Sequence, residues 1–287
     1  MNTTLYNHNS GQFPSGPKTR LLLAQLIDVA KRAPVYIWPG KSDKDKKHMV
    51  LQSAINMWFE LELDTLGWNK ETSIISDDHS TQSYRVDFSQ FIDGEGHVMV
   101  EVEFGNSARL DSDLRKFLDA FHRGRLTLGI LILPRNRLAN LTTKGSVGFE
   151  KAVADVRRCH PKTVPFSLCI IGLDHEGADI IDLSQALDIP GPGYLSKTTI
   201  NSAKKLRHVI AQHRSGIPAK EILCLENMTT SMVPKTEMPR KMPLTDADLG
   251  QQPLFSSFLP EDSLVLVSTL VKTKRSKSPR TLHRLAA

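Results

Sequence analysis

VMVEVEFGN, residues 98–106, decides how the chain is read. In an extended strand, successive side chains point to opposite faces. Val98, Val100, Val102 and Phe104 then share one face and read as core, while Glu101 and Glu103 share the other. Two carboxylates side by side on so apolar a strand repel each other. Either their face is in water, a pattern that alternating Val and Glu also fits, or something positive sits between them.

The preceding stretch bears on that choice. YRVDFSQFI (84–92) is a strand, DGEG is turn chemistry, and HVMVEVEF (97–104) pairs back as a hairpin. Asp87 shares a face with Arg85 and Ser89 and can lie opposite Glu101 and Glu103. Three carboxylates at the edge of a buried sheet are costly or become protonated. A hard divalent cation relieves that cost, and Mg²⁺ characteristically binds one or two carboxylates together with phosphate oxygens. Such an ion acidifies water and neutralises charge on a phosphodiester. The constellation therefore points to phosphodiester hydrolysis.

Around the hairpin, the spacing predicts helices over 18–33 and 48–68, the second burying Leu51, Ile55, Trp58, Leu61 and Leu66. LDSDLRKFLDAFHRG predicts a helix capped by Asp111 and ended by Gly124. LTLGILILP (126–134) and PFSLCIIGL (165–173) are continuous apolar runs, hence strands buried on both faces. VGFEKAVADVRRCH (147–160) is a helix between them, and ADIIDL a short edge strand. PVYIWPGKSDKDKK reads as a loop and NKETSIISDDHSTQS as a polar connection. The order gives an α/β fold: a three-layer α/β/α core with a mixed central sheet.

Residues 1–16 read as a disordered N-terminus, 17–195 as the core domain ending at IPGPGY, 196–271 as a mainly helical and irregular C-terminal extension, and 272–287 as a basic disordered tail. The extension holds two helices broken at Ser215-Gly216, a weak helix-turn-helix signal, and a candidate last strand over 261–272. Its Lys204, Lys205 and Arg207 can hold phosphates or form a solvated face.

The 287 residues are 40% hydrophobic and 24% charged, an ordinary globular composition. The net charge of +6 equals the six lysines and arginines of the tail, so any nucleic-acid surface on the body rests on arrangement, not bulk charge. No run is apolar enough to span a bilayer, and the polar N-terminus lacks a signal-peptide core, so a cytoplasmic protein is expected. Cys159, Cys169 and Cys224 have no zinc spacing and read as free thiols.

Asp87, a hairpin, then Glu101-x-Glu103 resembles the PD-(D/E)XK nuclease signature, in a variant with an acidic residue where lysine usually stands. EVEFGN resembles the BglII- and BamHI-like type II restriction endonucleases, whose BglII-type strand reads Glu-Val-Gln-Phe followed closely by Asn. LGWNK, an Arg-bearing helix after the motif, GILIL, VGFEKAV and PFSLCIIGL follow in the family's order, over roughly residues 50–185. The stretch from 196 to 287 has no counterpart.

The resemblance implies a restriction-endonuclease-like core and a type II endonuclease acting on double-stranded DNA with Mg²⁺, leaving 5′-phosphate ends. It implies that Asp87, Glu101 and the backbone carbonyl of Val102 ligate the metal, and that Glu103 orients or deprotonates the attacking water. Asn69, Glu71, Glu60 and Glu62 are candidates for an auxiliary position near the metal, though acids on an amphipathic helix are usually just solvated. Asn106, Ser107, Arg109 and Arg115 lie just past the motif strand, where DNA would approach, and Arg and Asn read guanine and adenine edges well. Arg135 and Arg137 can hold phosphates. A palindromic site implies a homodimer, and a cognate methyltransferase can accompany the enzyme. The rival expectations are a PD-(D/E)XK nuclease of repair or recombination without strict sequence specificity, and a non-catalytic DNA-binding protein on the same fold.

Overall fold

The computed structural model describes residues 1–9, 16–39, 49–74, 85–105, 107–143, 145–159, 163–183 and 200–217. Residues 1–243 group as one unit and 244–287, outside the described residues, as another. The strands are β1 (Asn2–His8), β2 (Val35–Ile37), β3 (Asn69–Ser73), β4 (Arg85–Ile92), β5 (Gly96–Val102), β6 (Leu128–Pro134), β7 (Leu168–Asp174) and β8 (Ile180–Asp182). The helices are α1 (Pro17–Arg32), α2 (Gln52–Thr65), α3 (Ser107–His122), α4 (Asn136–Thr142), α5 (Phe149–Arg158) and α6 (Ile200–Arg214).

Six strands form one mixed sheet in the order β1-β7-β6-β5-β4-β3. β5, β6 and β7 are parallel, and every other neighbouring pair is antiparallel. β6 and β7 are buried along their whole length, as continuous apolar strands must be when helices cover both faces. Met99, Leu131, Leu133, Leu168 and Ile170 pack against Leu110, Phe117 and Ala120 of α3 and Ala152, Val153 and Val156 of α5. Val98, Val100, Val102, Ile130, Ile132, Cys169 and Ile171, at the alternate positions, are buried on the opposite face. There α1 contacts β1 and β7 and packs on α2, where the Trp58 indole donates to the Val29 carbonyl at 3.3 Å. This is the expected three-layer α/β core.

Four local expectations are corrected. Residues 2–8 are not disordered: β1 pairs with β7 from Asn2↔Asp174 to His8↔Leu168, covering an apolar strand that would otherwise expose its edge. Within PVYIWPG, Val35–Ile37 is β2 and pairs in parallel with β8, in a separate two-stranded sheet. NKETS, read as connection, is edge strand β3. α3 begins at Ser107, so Asp111 is exposed in its second turn and does not cap it.

Gly124, at φ 67°, does end α3. In α2, Leu51, Ile55, Trp58 and Leu61 are buried as expected, and Leu66 is half-buried. Burial pushes the Cys169 thiol up to about 12, which fits an inert core cysteine. The IPGPGY boundary, the second C-terminal helix, the strand over 261–272 and the basic tail lie outside the described residues. Among the described residues no helix is long and apolar enough to cross a membrane.

Candidate active site

The β4–β5 ladder runs from Ile92↔Gly96 to Phe88↔Val100 and stops. The next step in that register sets Asp87 beside Glu101, on the same face as Met99 and Ser89. Here the Val102 amide donates to Asp87 Oδ2 at 2.9 Å. The hairpin thus brings together the residues that the sequence pattern pairs, at the point where the two strands part.

Glu101 is only 3% exposed. Burial, with the like charges of Asp87 and Asp113 added, pushes its carboxyl up to about 9, against the pull of Lys116. Lys116 Nζ lies 2.7 Å from Glu101 Oε1 and 2.9 Å from Asp113 Oδ1. Asp113 is 4% exposed, and burial raises its pKa as well. Its Oδ2 is buried with no hydrogen-bond partner among the described residues. The lysine titrates above its ordinary range: both carboxylates outweigh its own desolvation. One ammonium faces two buried carboxylates, with Asp87 nearby, so the site calls for a proton or another cation.

Glu103, two positions on, is also buried. Its Oε1 accepts from the Gly105 amide, and Arg109 Nη1 stands 3.8 Å from its Oε2. Burial raises its pKa, with Asp113 and Asp87 adding to the rise and Gly105 and Arg109 opposing it.

Asn69 lies opposite Ser89 on exposed β3, two positions from Asp87 on the same face. Glu71 falls opposite Asp87 by the same register, and its φ of 52° puts it in the left-handed region within β3. Glu60 and Glu62 are engaged elsewhere. Glu60 pairs with Lys70 at 2.8 Å and Arg207 at 2.6 Å. Glu62 accepts from Arg32 at 2.9 Å and from Arg214. These contacts fasten α1, β3 and α6 to α2, so Arg207 serves structure. Arg109 and Arg115 are exposed on α3, while Asn106 and the Ser107 side chain lie outside the described residues. Arg135 pairs with Glu150 at 2.9 Å, and Arg137 with Glu176.

Sequence reasoning missed Asp113 and Lys116. The signal was there: Asp113 falls on the stripe Leu110, Phe117, Ala120 and is therefore aimed inward. Among the described residues no three His, Cys, Asp or Glu side chains are gathered closely enough to hold a metal. Lys116 stands between two of the acids instead. The donor set is nonetheless a hard-cation set: Asp87 and Glu101 offer carboxylate oxygens, and the negative charge around them exceeds what Lys116 neutralises.

The antiparallel hairpin brings Asp87 and Glu101 together within a helix-covered mixed sheet, the arrangement that the sequence pattern anticipates for a nuclease-type α/β domain. The family model for restriction endonuclease BglII/BglIII matches residues 17–173. The chain belongs to the BglII/BglIII restriction endonuclease family. The crystal structure of restriction endonuclease BglII complexed with a DNA 16-mer is similar at TM-score 0.50 and 17% identity, over 63% of this chain and 78% of that one. That of free BglII is similar at TM-score 0.43 and 15% identity, over 61% and 80%. The first likeness shows the fold. No curated protein matches the sequence.

Proposed function

We propose that the chain is a Mg²⁺-dependent, site-specific endonuclease of type II restriction character that cuts duplex DNA and leaves 5′-phosphate ends. The observation that carries the reading is the meeting of Asp87 and Glu101 where β4 and β5 part, in a chain of this family. Asp87 and Glu101, with the Val102 carbonyl, would hold the metal. When bound, that cation supplies charge neutralisation at the phosphodiester and acidifies water. The Val102 amide fixes the Asp87 carboxylate. Glu103, whose pKa is raised, is suited to orient the attacking water and take its proton. Its Oε1 is held by Gly105, leaving Oε2 toward Arg109.

Asn106, Ser107, Arg109 and Arg115 form the DNA-facing edge in this reading, with Asn69 in the auxiliary position. A palindromic site would be cut by a homodimer with one active site per strand, in the cytoplasm and beside a methyltransferase that protects host DNA. The core domain is residues 17–195 together with β1 and α6.

The test is cleavage of a mixed panel of plasmid and phage DNA with Mg²⁺, with EDTA and with Glu101→Ala. Discrete fragments that require Mg²⁺ and vanish in the variant are expected, and their ends give the site. Metal-dependent cutting without discrete bands would favour a repair-type nuclease. No cutting by any form would favour a non-catalytic DNA-binding protein.

A further inference from the structure

α3 turns the stripe Leu110, Asp113, Phe117 and Ala120 toward the sheet. A carboxylate in a core stripe is costly unless it is paired, and an apolar residue there would stabilise the fold more simply. Asp113 is paired, but by a side chain with two obligations. Lys116 follows it by three residues on the same helix, so the two side chains are neighbours. The Lys116 stem then carries Nζ past Asp113 to Glu101, with contacts of 2.9 and 2.7 Å. Side-chain exposure is 18% for Lys116, 4% for Glu101 and 6% for Asp113, so water screens the trio poorly.

We propose that Lys116 competes with a divalent cation for Glu101: its ammonium occupies Glu101 Oε1, and a cation held by Asp87 and Glu101 displaces it onto Asp113, which keeps it paired. The inference rests on the metal-binding reading of Asp87 and Glu101. An ammonium 2.7 Å from Glu101 Oε1 takes up a lone-pair direction that a metal ligand needs. Two positive centres sharing one carboxylate in a poorly screened site repel strongly. Asp113 gives the lysine somewhere to go without leaving it unpaired. Asp113 is therefore a positioning residue that acts through Lys116, and Lys116 sets how much free metal the site requires.

The test measures metal binding apart from cleavage. Mn²⁺ stands in for Mg²⁺, with free Mn²⁺ followed by electron paramagnetic resonance. Thermal unfolding is recorded in EDTA and in Mn²⁺ for wild type, Lys116→Met, Lys116→Gln and Glu101→Ala. Both Lys116 variants are expected to unfold at lower temperature than wild type in EDTA. Both are also expected to bind Mn²⁺ roughly tenfold or more tightly, because an opposing charge is gone, and to gain more from Mn²⁺ on heating. Glu101→Ala is expected to lose binding. The Gln variant keeps two N–H donors on a neutral polar side chain, so it covers the case in which the Met variant does not fold. Wild-type binding that Glu101→Ala abolishes, with unchanged or weaker binding in a folded Lys116 variant, would overturn this role and leave the metal site standing. No Mn²⁺ binding by wild type or either Lys116 variant would overturn both.

Discussion

Gly105 stands where any larger residue would strike Glu103: a Cβ at that position would lie 2.6 Å from Glu103 Oε1, the oxygen that the Gly105 amide itself contacts. The crowding comes from close approach to a movable side chain, for here no positive φ demands glycine. Gly105→Ala is expected to leave the fold intact and displace the Glu103 carboxyl. Single-turnover cleavage with saturating DNA and Mg²⁺ should slow by about 10- to 100-fold, the scale of a misplacement near one ångström. A wild-type rate would remove Glu103 from the proposed water-handling role.

The buried acids make stability depend on pH in a definite direction. Glu101 titrates near its ordinary 4.5 when unfolded and is raised to about 9 when folded. Between those values the folded state holds more protons than the unfolded state, so stability falls as pH rises. The raised Glu103 and Asp113 act in the same direction. Lys116, raised above its ordinary 10.5, keeps its contribution throughout this window. In EDTA the melting temperature is expected to fall from pH 5 to 9, and Glu101→Gln should flatten the slope. At most about 1.4 kcal/mol per pH unit is at stake for one group. Parallel curves for variant and wild type would refute the assignment.

What the sequence discloses here follows burial. β5, β6 and β7 are legible because apolar runs bounded by turns have few other solutions, and the Asp87–Glu101 pairing follows from hairpin register. β1 and β3 are edge strands that owe their place to backbone pairing, and NKETS has no apolar face to betray it. Asp113 and Lys116 look like a solvated i,i+3 pair unless the stripe through Leu110 and Phe117 is traced first. Glu60 and Glu62 read as site candidates because their partners, Arg207 and Arg214, lie about 150 residues away.

Glu62 tests that last distinction. It is 8% exposed and accepts from Arg32 on α1 and Arg214 on α6, beside the cluster of Tyr36, Trp58 and His213. Glu62→Ala is expected to cost about 2 kcal/mol in urea unfolding, the range for bonds to charged groups with a discount for the exposed Arg32. Cleavage by the folded fraction should be unchanged. A lost rate at full stability would restore Glu62 to the active site.

Gly172 on β7 lets α5 close on the sheet: a Cβ there would lie 2.6 Å from Phe149 Cγ. Phe149 begins α5 and belongs to the core between α3, α5 and the sheet. Gly172→Ala is expected to cost about 1–3 kcal/mol by overpacking. Gly172→Ala with Phe149→Leu should recover part of the loss. Denaturant midpoints decide it, and a single variant as stable as wild type would mean that α5 shifts freely.

Arg115 is the cleanest probe of the proposed DNA-facing edge. It lies on α3 away from the stripe that ends at Ala120 and is exposed, whereas Arg109 also stands near Glu103 and would confound binding with catalysis. Binding is best measured by filter retention in the Glu101→Ala background, which prevents cutting. If Arg115 contacts a phosphate, Arg115→Ala weakens all duplexes about equally and lowers the slope of log K against log salt by about one. If it reads a base edge, the loss is about 1–3 kcal/mol, confined to the recognition site. Either result places α3 against DNA. Unchanged affinity and slope would move the DNA surface away from Arg115 and leave the edge beyond Glu103 without its proposed contact.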